Sequence, residues 1–152
     1  MKWTVEFLND MVEAEFHDLP VDLKASLLRI ATLIRENGLE RTGMPYVRHL
    51  QDKLWEMRGR GKDGIARSIY IAVSGRRVVI VRSLSKKNAA NAEGRNKNRP
   101  ETGKGGSVMG RSVFEYHDEQ MRDNPEYKAA YDALEQEFTI ANALIKRAAK
   151  RA

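Results

Sequence analysis

The chain has 152 residues, no cysteine, and 27 Lys+Arg against 21 Asp+Glu for a formal charge of +6. The missing cysteines exclude disulfides, thiolate metal sites and a cysteine nucleophile. With 41% hydrophobic residues, Glu6 standing where a leader's apolar stretch would begin, and no apolar run near the ~20 residues of a membrane span, one small cytoplasmic domain, bare or with an appendage, is expected.

Trp3 to Leu8 alternates and is rich in strand formers, so a strand is predicted there. Asn9 is placed to cap a short helix carrying Met11, Val12 and Phe16, and Leu19-Pro20 breaks it. Val21 to Asn37 is the clearest helix. Leu23, Leu27, Ile30, Ala31 and Ile34 fall at helical spacing, and Asn37-Gly38 is its stop. Three strands follow, Leu50 to Arg58, Ile65 to Val73 and Arg77 to Leu84, with turns at Gly59 to Gly64 and at Ser74-Gly75-Arg76. This order predicts an α+β domain in which a two-helix hairpin packs on a mostly antiparallel sheet.

From Ser85 to Gly110 the periodicity is lost and glycine and basic residues accumulate, the composition of a basic, flexible linker. Asn124-Pro125 then starts a helix expected to run to about Ala149. Tyr127, Tyr131, Leu134, Phe138, Ala141, Ile145 and Ala148 form one apolar stripe on it, which must pack on the first domain or on a partner. Charge is segregated: Arg41 to Lys104 is basic and Glu115 to Glu137 is acidic, so attraction between the two regions is expected. A basic balance also suits a polyanionic partner.

Leu54-Trp55-Glu56-Met57-Arg58 resembles the Leu-aromatic-Glu-Leu-Arg strand of HigB-like toxins. Ala66-Arg67-Ser68-Ile69-Tyr70 resembles the strand that follows there, and Val78 to Lys87 resembles the last strand, which ends in a Lys-Lys pair. Through these segments, in order behind two helices, residues 1–87 resemble the HigB-like branch of the RelE/ParE toxin superfamily. The resemblance implies a RelE-like fold, metal- and cofactor-independent cleavage of mRNA, usually on the ribosome, and a helix-turn-helix antitoxin as partner.

The chemistry so implied is attack of a ribose 2′-hydroxyl on the adjacent phosphate, which builds negative charge on the phosphate oxygens. Arginine suits that charge, because its planar fork pairs bidentately and stays protonated. On this reading Arg67 and Arg58 are the phosphate clamps. Glu56 accepts a proton or orients Arg58, although a simple cross-strand charge balance is an equal alternative. Tyr70 is a further catalytic candidate, with a core aromatic as the commoner role. Lys86, Lys87, Arg60, Lys62 and Arg82 are the candidate RNA-binding residues, with solvated charge beside a turn as the plain alternative for Arg58, Arg60 and Lys62. His17 and His49 lack metal-ligand spacing and are read as structural; His117 receives no role.

Past Lys87 the likeness breaks. Asn88-Ala89-Ala90-Asn91-Ala92-Glu93 stands where the family carries Thr-Gln-Lys-Thr-Pro. Permissible codons for Lys87 to Glu93, read one base out of register, encode Lys-Thr-Gln-Gln-Thr-Pro. Met109 onward, above all Asp123 to Phe138, resembles the N-terminus of the partner antitoxins. The expected organisation is a toxin-like domain over 1–87, a linker over 88–108 and an antitoxin-like helical segment over 109–152. That segment is expected to dock on the domain, within one chain or exchanged in a homodimer, and to restrain it. Two readings stand beside this one: a non-cleaving toxin-antitoxin remnant or partner-binding module, and a gyrase-directed, ParE-like toxin.

Overall fold

The computed structural model describes residues 3–43, 46–62, 64–85 and 110–151. The elements run β1 (Thr4–Phe7), α1 (Asp10–His17), α2 (Val21–Asn37), β2 (Val47–Gln51), β3 (Leu54–Gly61), β4 (Gly64–Val73), β5 (Arg77–Ser85), α3 (Val113–Asp123), α4 (Pro125–Ala133) and α5 (Glu135–Arg151). The α+β class expected from the pattern is the one observed. No helix among the described residues is long and apolar enough to cross a membrane.

One five-stranded sheet has the order β1-β5-β4-β3-β2. β1 runs parallel to β5, and every other pairing is antiparallel. The first strand of the expected trio is two strands, because the chain reverses at Asp52, whose φ of 50° turns it between β2 and β3. The next turn is shorter than expected. Gly59, Arg60 and Gly61 all belong to β3 and pair with β4.

Both predicted helices form on one side of the sheet. Asn9 caps α1 by accepting from the Val12 N–H at 3.0 Å, satisfying one of the donors a helix start leaves open. α2 spans Val21–Asn37 as its periodicity requires. It crosses β3 so closely at Gly59 that an added Cβ would lie 2.9 Å from Leu27 Cγ. Hence Met57, Gly59 and their register partners Ser68 and Ala66 face the helices, and the residues between them face away.

Residues 110–148 form a third layer. Gly110 to Ser112 run antiparallel to the outer edge of β1, with Phe7 N–H to Arg111 O at 3.1 Å and Gly110 N–H to Leu8 O at 3.0 Å. A Cβ at Gly110 would collide with the Phe7 carbonyl, so glycine is required for this approach. Ser112 then caps α3, a helix the sequence pattern missed. The single long helix expected from Pro125 is broken at Leu134 into α4 and α5. The apolar stripe nonetheless packs inward: Tyr127 and Phe138 are buried, with Tyr131, Leu134, Ala141 and Ile145 partly so, while Ala148 is exposed.

The attraction anticipated between tail acids and basic strands is not what seats this layer. It lies on α1 and α2, and α2 meets it with cations over rings. Arg29 is 3.7 Å from the Tyr131 ring centre, Arg35 is 4.1 Å from that of Phe114, and Lys24 is 5.9 Å from that of Tyr116. Tyr116 packs edge-on against Phe7 and Phe16 at 5.9 and 5.5 Å. Its hydroxyl lies 2.8 Å from His17 Nδ1. Arg111 joins Glu13 of α1 to Glu119 of α3.

Candidate nucleic-acid interface

Pleating decides which side chains share a face, and the register carries that across strands. Arg48 pairs with Glu56, Glu56 with Ile69 and Ile69 with Arg82; in the next row Arg58 pairs with Arg67 and Arg67 with Leu84. Arg60 opposite Ile65 follows toward the hairpin. All of these belong to the face turned away from α2. The sheet therefore presents one face with arginines set around Glu56, among the apolar side chains Ile69 and Leu84.

Glu56 is only 4% exposed. Arg58 Nε lies 3.3 Å from its Oε1, and the Arg58 side chain is 17% exposed. Nε is buried and makes no hydrogen bond, so at that atom the pairing is one of charge. Arg67, directly opposite Arg58, is exposed. Cross-strand neighbours have Cβ atoms about 4.5–5.5 Å apart, close enough for both guanidiniums to reach one phosphate. Glu56 offsets part of the repulsion that two adjacent cations would otherwise feel.

Arg60 and Lys62 are exposed at the β3–β4 end of this face, where the Arg60 N–H donates to Ser26 Oγ of α2 at 3.2 Å. Arg82 is exposed on β5, with Nε 3.6 Å from Glu15 Oε2. The same Glu15 accepts from the Ser83 N–H at 3.0 Å, where β5 runs past the end of β1. At the other end of the open face Arg77 is committed to Glu6 by an ion pair. Lys86 and Lys87 lie outside the described residues.

Tyr70 is the correction. It belongs to the helix-facing row, is 0% exposed, and its hydroxyl has no hydrogen-bond partner. Burial pushes that hydroxyl well above the usual tyrosine range, so it neither gives nor takes a proton at neutral pH. The alternation of Ile69, Tyr70 and Ile71 could have placed it opposite Arg67, since neighbours on a strand point to opposite faces. Arg48 was missed because its strand was read as beginning at Leu50. Its exposure and its pairing with Glu56 place it on the arginine face.

The histidines sit elsewhere, as structural residues. His49 stacks edge-on with Trp55 at 4.8 Å and its Nε2 lies 2.8 Å from Asp52 O. His117 lies 2.7 Å from the Tyr127 hydroxyl and 4.3 Å from the Tyr131 ring centre. Burial first, then the charges of Arg29 and Arg35, hold it below the usual histidine range against the opposing pull of Asp118.

Comparison with known proteins adds a family. The model described as Phage derived protein Gp49-like (DUF891) matches residues 14–102. Among solved structures, an E. coli toxin RelE mutant in the free state, with two arginines changed to alanine, aligns with a TM-score of 0.38 and 13% identity, covering 66% of this chain and 100% of that one. No curated protein matches the chain.

Proposed function

The chain belongs to the Gp49-like family of phage-derived proteins, a RelE/toxin-like family, and on that premise we propose that it is the toxin of a type II toxin-antitoxin pair that cleaves mRNA without a metal, on the ribosome. The observation that carries this reading is the register pairing of Arg58 with Arg67 on the open sheet face, with Glu56 bound to Arg58.

Arg67 is free to meet the scissile phosphate from solvent, and Arg58, steadied by Glu56, approaches from the adjacent strand. Together they stabilise the charge that grows on the phosphate oxygens when the 2′-hydroxyl attacks. Glu56 is the carboxylate nearest this pair. Its buried position suits it to orient Arg58, and a proton-accepting role requires RNA to reach it. Arg48, Arg60, Lys62 and Arg82 hold the flanking backbone, and Lys86 and Lys87, next in sequence after β5, are further candidates for it.

A family of this kind implies an antitoxin partner. Residues 109–152, read as an antitoxin-like segment, would make this chain a fused pair. The docked layer lies on α1 and α2, so any restraint it exerts does not come from covering Arg58 and Arg67.

The test is Arg67→Ala in a ribosome-dependent mRNA cleavage assay with the full chain. Loss of one preorganised donor should lower cleavage by ~100- to 1000-fold, about 2.7–4 kcal/mol of transition-state stabilisation, with unchanged thermal unfolding. Unchanged cleavage removes Arg67 from the site. Absence of cleavage by the parent chain and by a chain freed of its tail favours the non-cleaving reading.

A further inference from the structure

The outer side of α2 has the wrong chemistry for the middle of a three-layer core. Lys24, Leu28, Ala31 and Arg35 share one side by helical spacing, with Arg29 beside them. Lys24 is 3% exposed; its ammonium donates to two neutral oxygens, His17 O and the Tyr116 hydroxyl, each at 3.2 Å, and feels the charge of Asp18. Burial lowers its pKa from the ordinary lysine value. Arg29 spends its guanidinium on Tyr131 O at 2.8 Å and on the Tyr131 ring. A helix side built for permanent burial carries apolar residues, whereas cations there belong to a surface that also meets water.

The other contacts point the same way. The β1 edge is completed by backbone bonds from Gly110 to Ser112, the mode by which an extended segment joins an exposed sheet edge. Arg111 sits between Glu13 and Glu119. Tyrosines and an arginine, residue types enriched at interfaces between chains, provide the anchors: Tyr131 against Arg29, with Tyr127 stacked on Tyr131, and the buried Tyr116.

We infer that the face made by the β1 edge, α1 and α2 is a docking surface for a separate polypeptide with a glycine-led extended segment followed by a tyrosine-bearing helix, and that this chain fills it with its own residues 110–148 and thereby excludes such a partner. The connection through residues 86–109 makes the tail intramolecular, at an effective concentration on the order of 1 mM. With a Kd of about 10 μM for the untethered tail, any free segment that competes for the surface is then weakened ~100-fold in the intact chain. This exclusion is independent of whether the arginine face cleaves RNA.

The experiment uses the full chain with a protease site placed between residues 88 and 108, and a fluorescent synthetic peptide of residues 110–148. Before cleavage the peptide should bind at least ~100-fold more weakly than after it. After cleavage it should replace the resident tail one for one by native mass spectrometry. A peptide carrying Gly110→Val cannot seat against Phe7 and should not compete. The full chain with Tyr116→Ala should admit the parent peptide without cleavage. Equal binding before and after cleavage overturns the exclusion. Failure of the cleaved chain to take up the peptide, or its unfolding when the tail leaves, overturns the docking surface and makes the tail part of the core. Uptake of the Gly110→Val peptide as readily as the parent overturns the seating at β1.

Discussion

The two faces of the sheet use arginine in opposite ways. Behind the sheet, Arg29 and Arg35 lie against Tyr131 and Phe114 and are consumed in holding a layer down. In front, Arg67 and Arg60 are exposed, and among their neighbours on that face Arg58 has a single buried carboxylate beside it. A cation whose charge is spent on a ring or a carbonyl stabilises the fold. A cation left facing solvent beside another cation lowers stability slightly and is useful when an anion arrives. Stability and the proposed chemistry are thus separated by the sheet and the helix layer on it, and substitutions on the two sides should separate in their readouts.

The largest expected effect is behind the sheet. Tyr127 is 0% exposed, and its hydroxyl meets His117. Tyr127→Ala should cost up to about 2.7 kcal/mol, the most that a tail held ~100-fold can add to the fold, read by chemical denaturation. A cost below ~1 kcal/mol would show that the tail contributes little to the fold. On the open face the Arg67→Ala loss of ~100- to 1000-fold in cleavage should leave the denaturation midpoint unmoved, and a matching drop in stability would erase the distinction between faces.

Glu56→Gln tests the link between the two roles. It leaves Arg58 without its counter-charge, at about 1–3 kcal/mol for a buried partner lost, and should lower cleavage by releasing Arg58. If cleavage falls equally at every pH, Glu56 orients Arg58; if the acid limb of the pH profile vanishes with it, Glu56 carries the proton.

A smaller effect concerns pH. His117 has its folded pKa depressed, so its contribution is fully present above the unfolded value of about 6.5 and declines as pH falls through that value toward the folded one. Tail docking should therefore weaken below pH ~6.5, read by hydrogen exchange across α3 and α4, and His117→Phe should flatten the dependence. Smallest of all, Tyr70→Phe removes a buried hydroxyl that has no partner. Stability should change by less than about 1 kcal/mol, upward if at all, with cleavage intact.

The fold was legible where a residue's own neighbours set its conformation. Asn9, Leu19-Pro20 and the spacing of Leu23 to Ile34 bound α1 and α2 by capping, proline chemistry and periodicity, all local effects. The break at Leu134 was not legible, since Tyr131, Leu134 and Phe138 keep helical spacing and the chain is broken there while it packs along α2. α3 escaped because its buried residues, Val113, Tyr116 and Gln120, make a sparse and partly polar stripe. Of the site, the pairing of Glu56 with Arg58 follows from two-residue spacing on a strand. The pairing of Arg58 with Arg67 depends on a hairpin register that the mistaken turn at Gly59 to Gly64 hid. Tyr70 failed because a family pattern in a strand says nothing about which face is covered.

The parallel pairing of β1 with β5 has a consequence for biosynthesis. The first strand made waits for Arg77 to Ile80 before the sheet can close, and by then Arg48, Arg58, Arg60 and Arg67 have been polymerised, with Arg82 next in line. The stretch from residue 86 to Phe138 takes several seconds more at ~5–20 residues per second. Through that interval each nascent copy already carries the residues of its arginine face while those that cover the rear of α2 and the β1 edge are still unmade, so the order of translation puts the arginine face before its own tail.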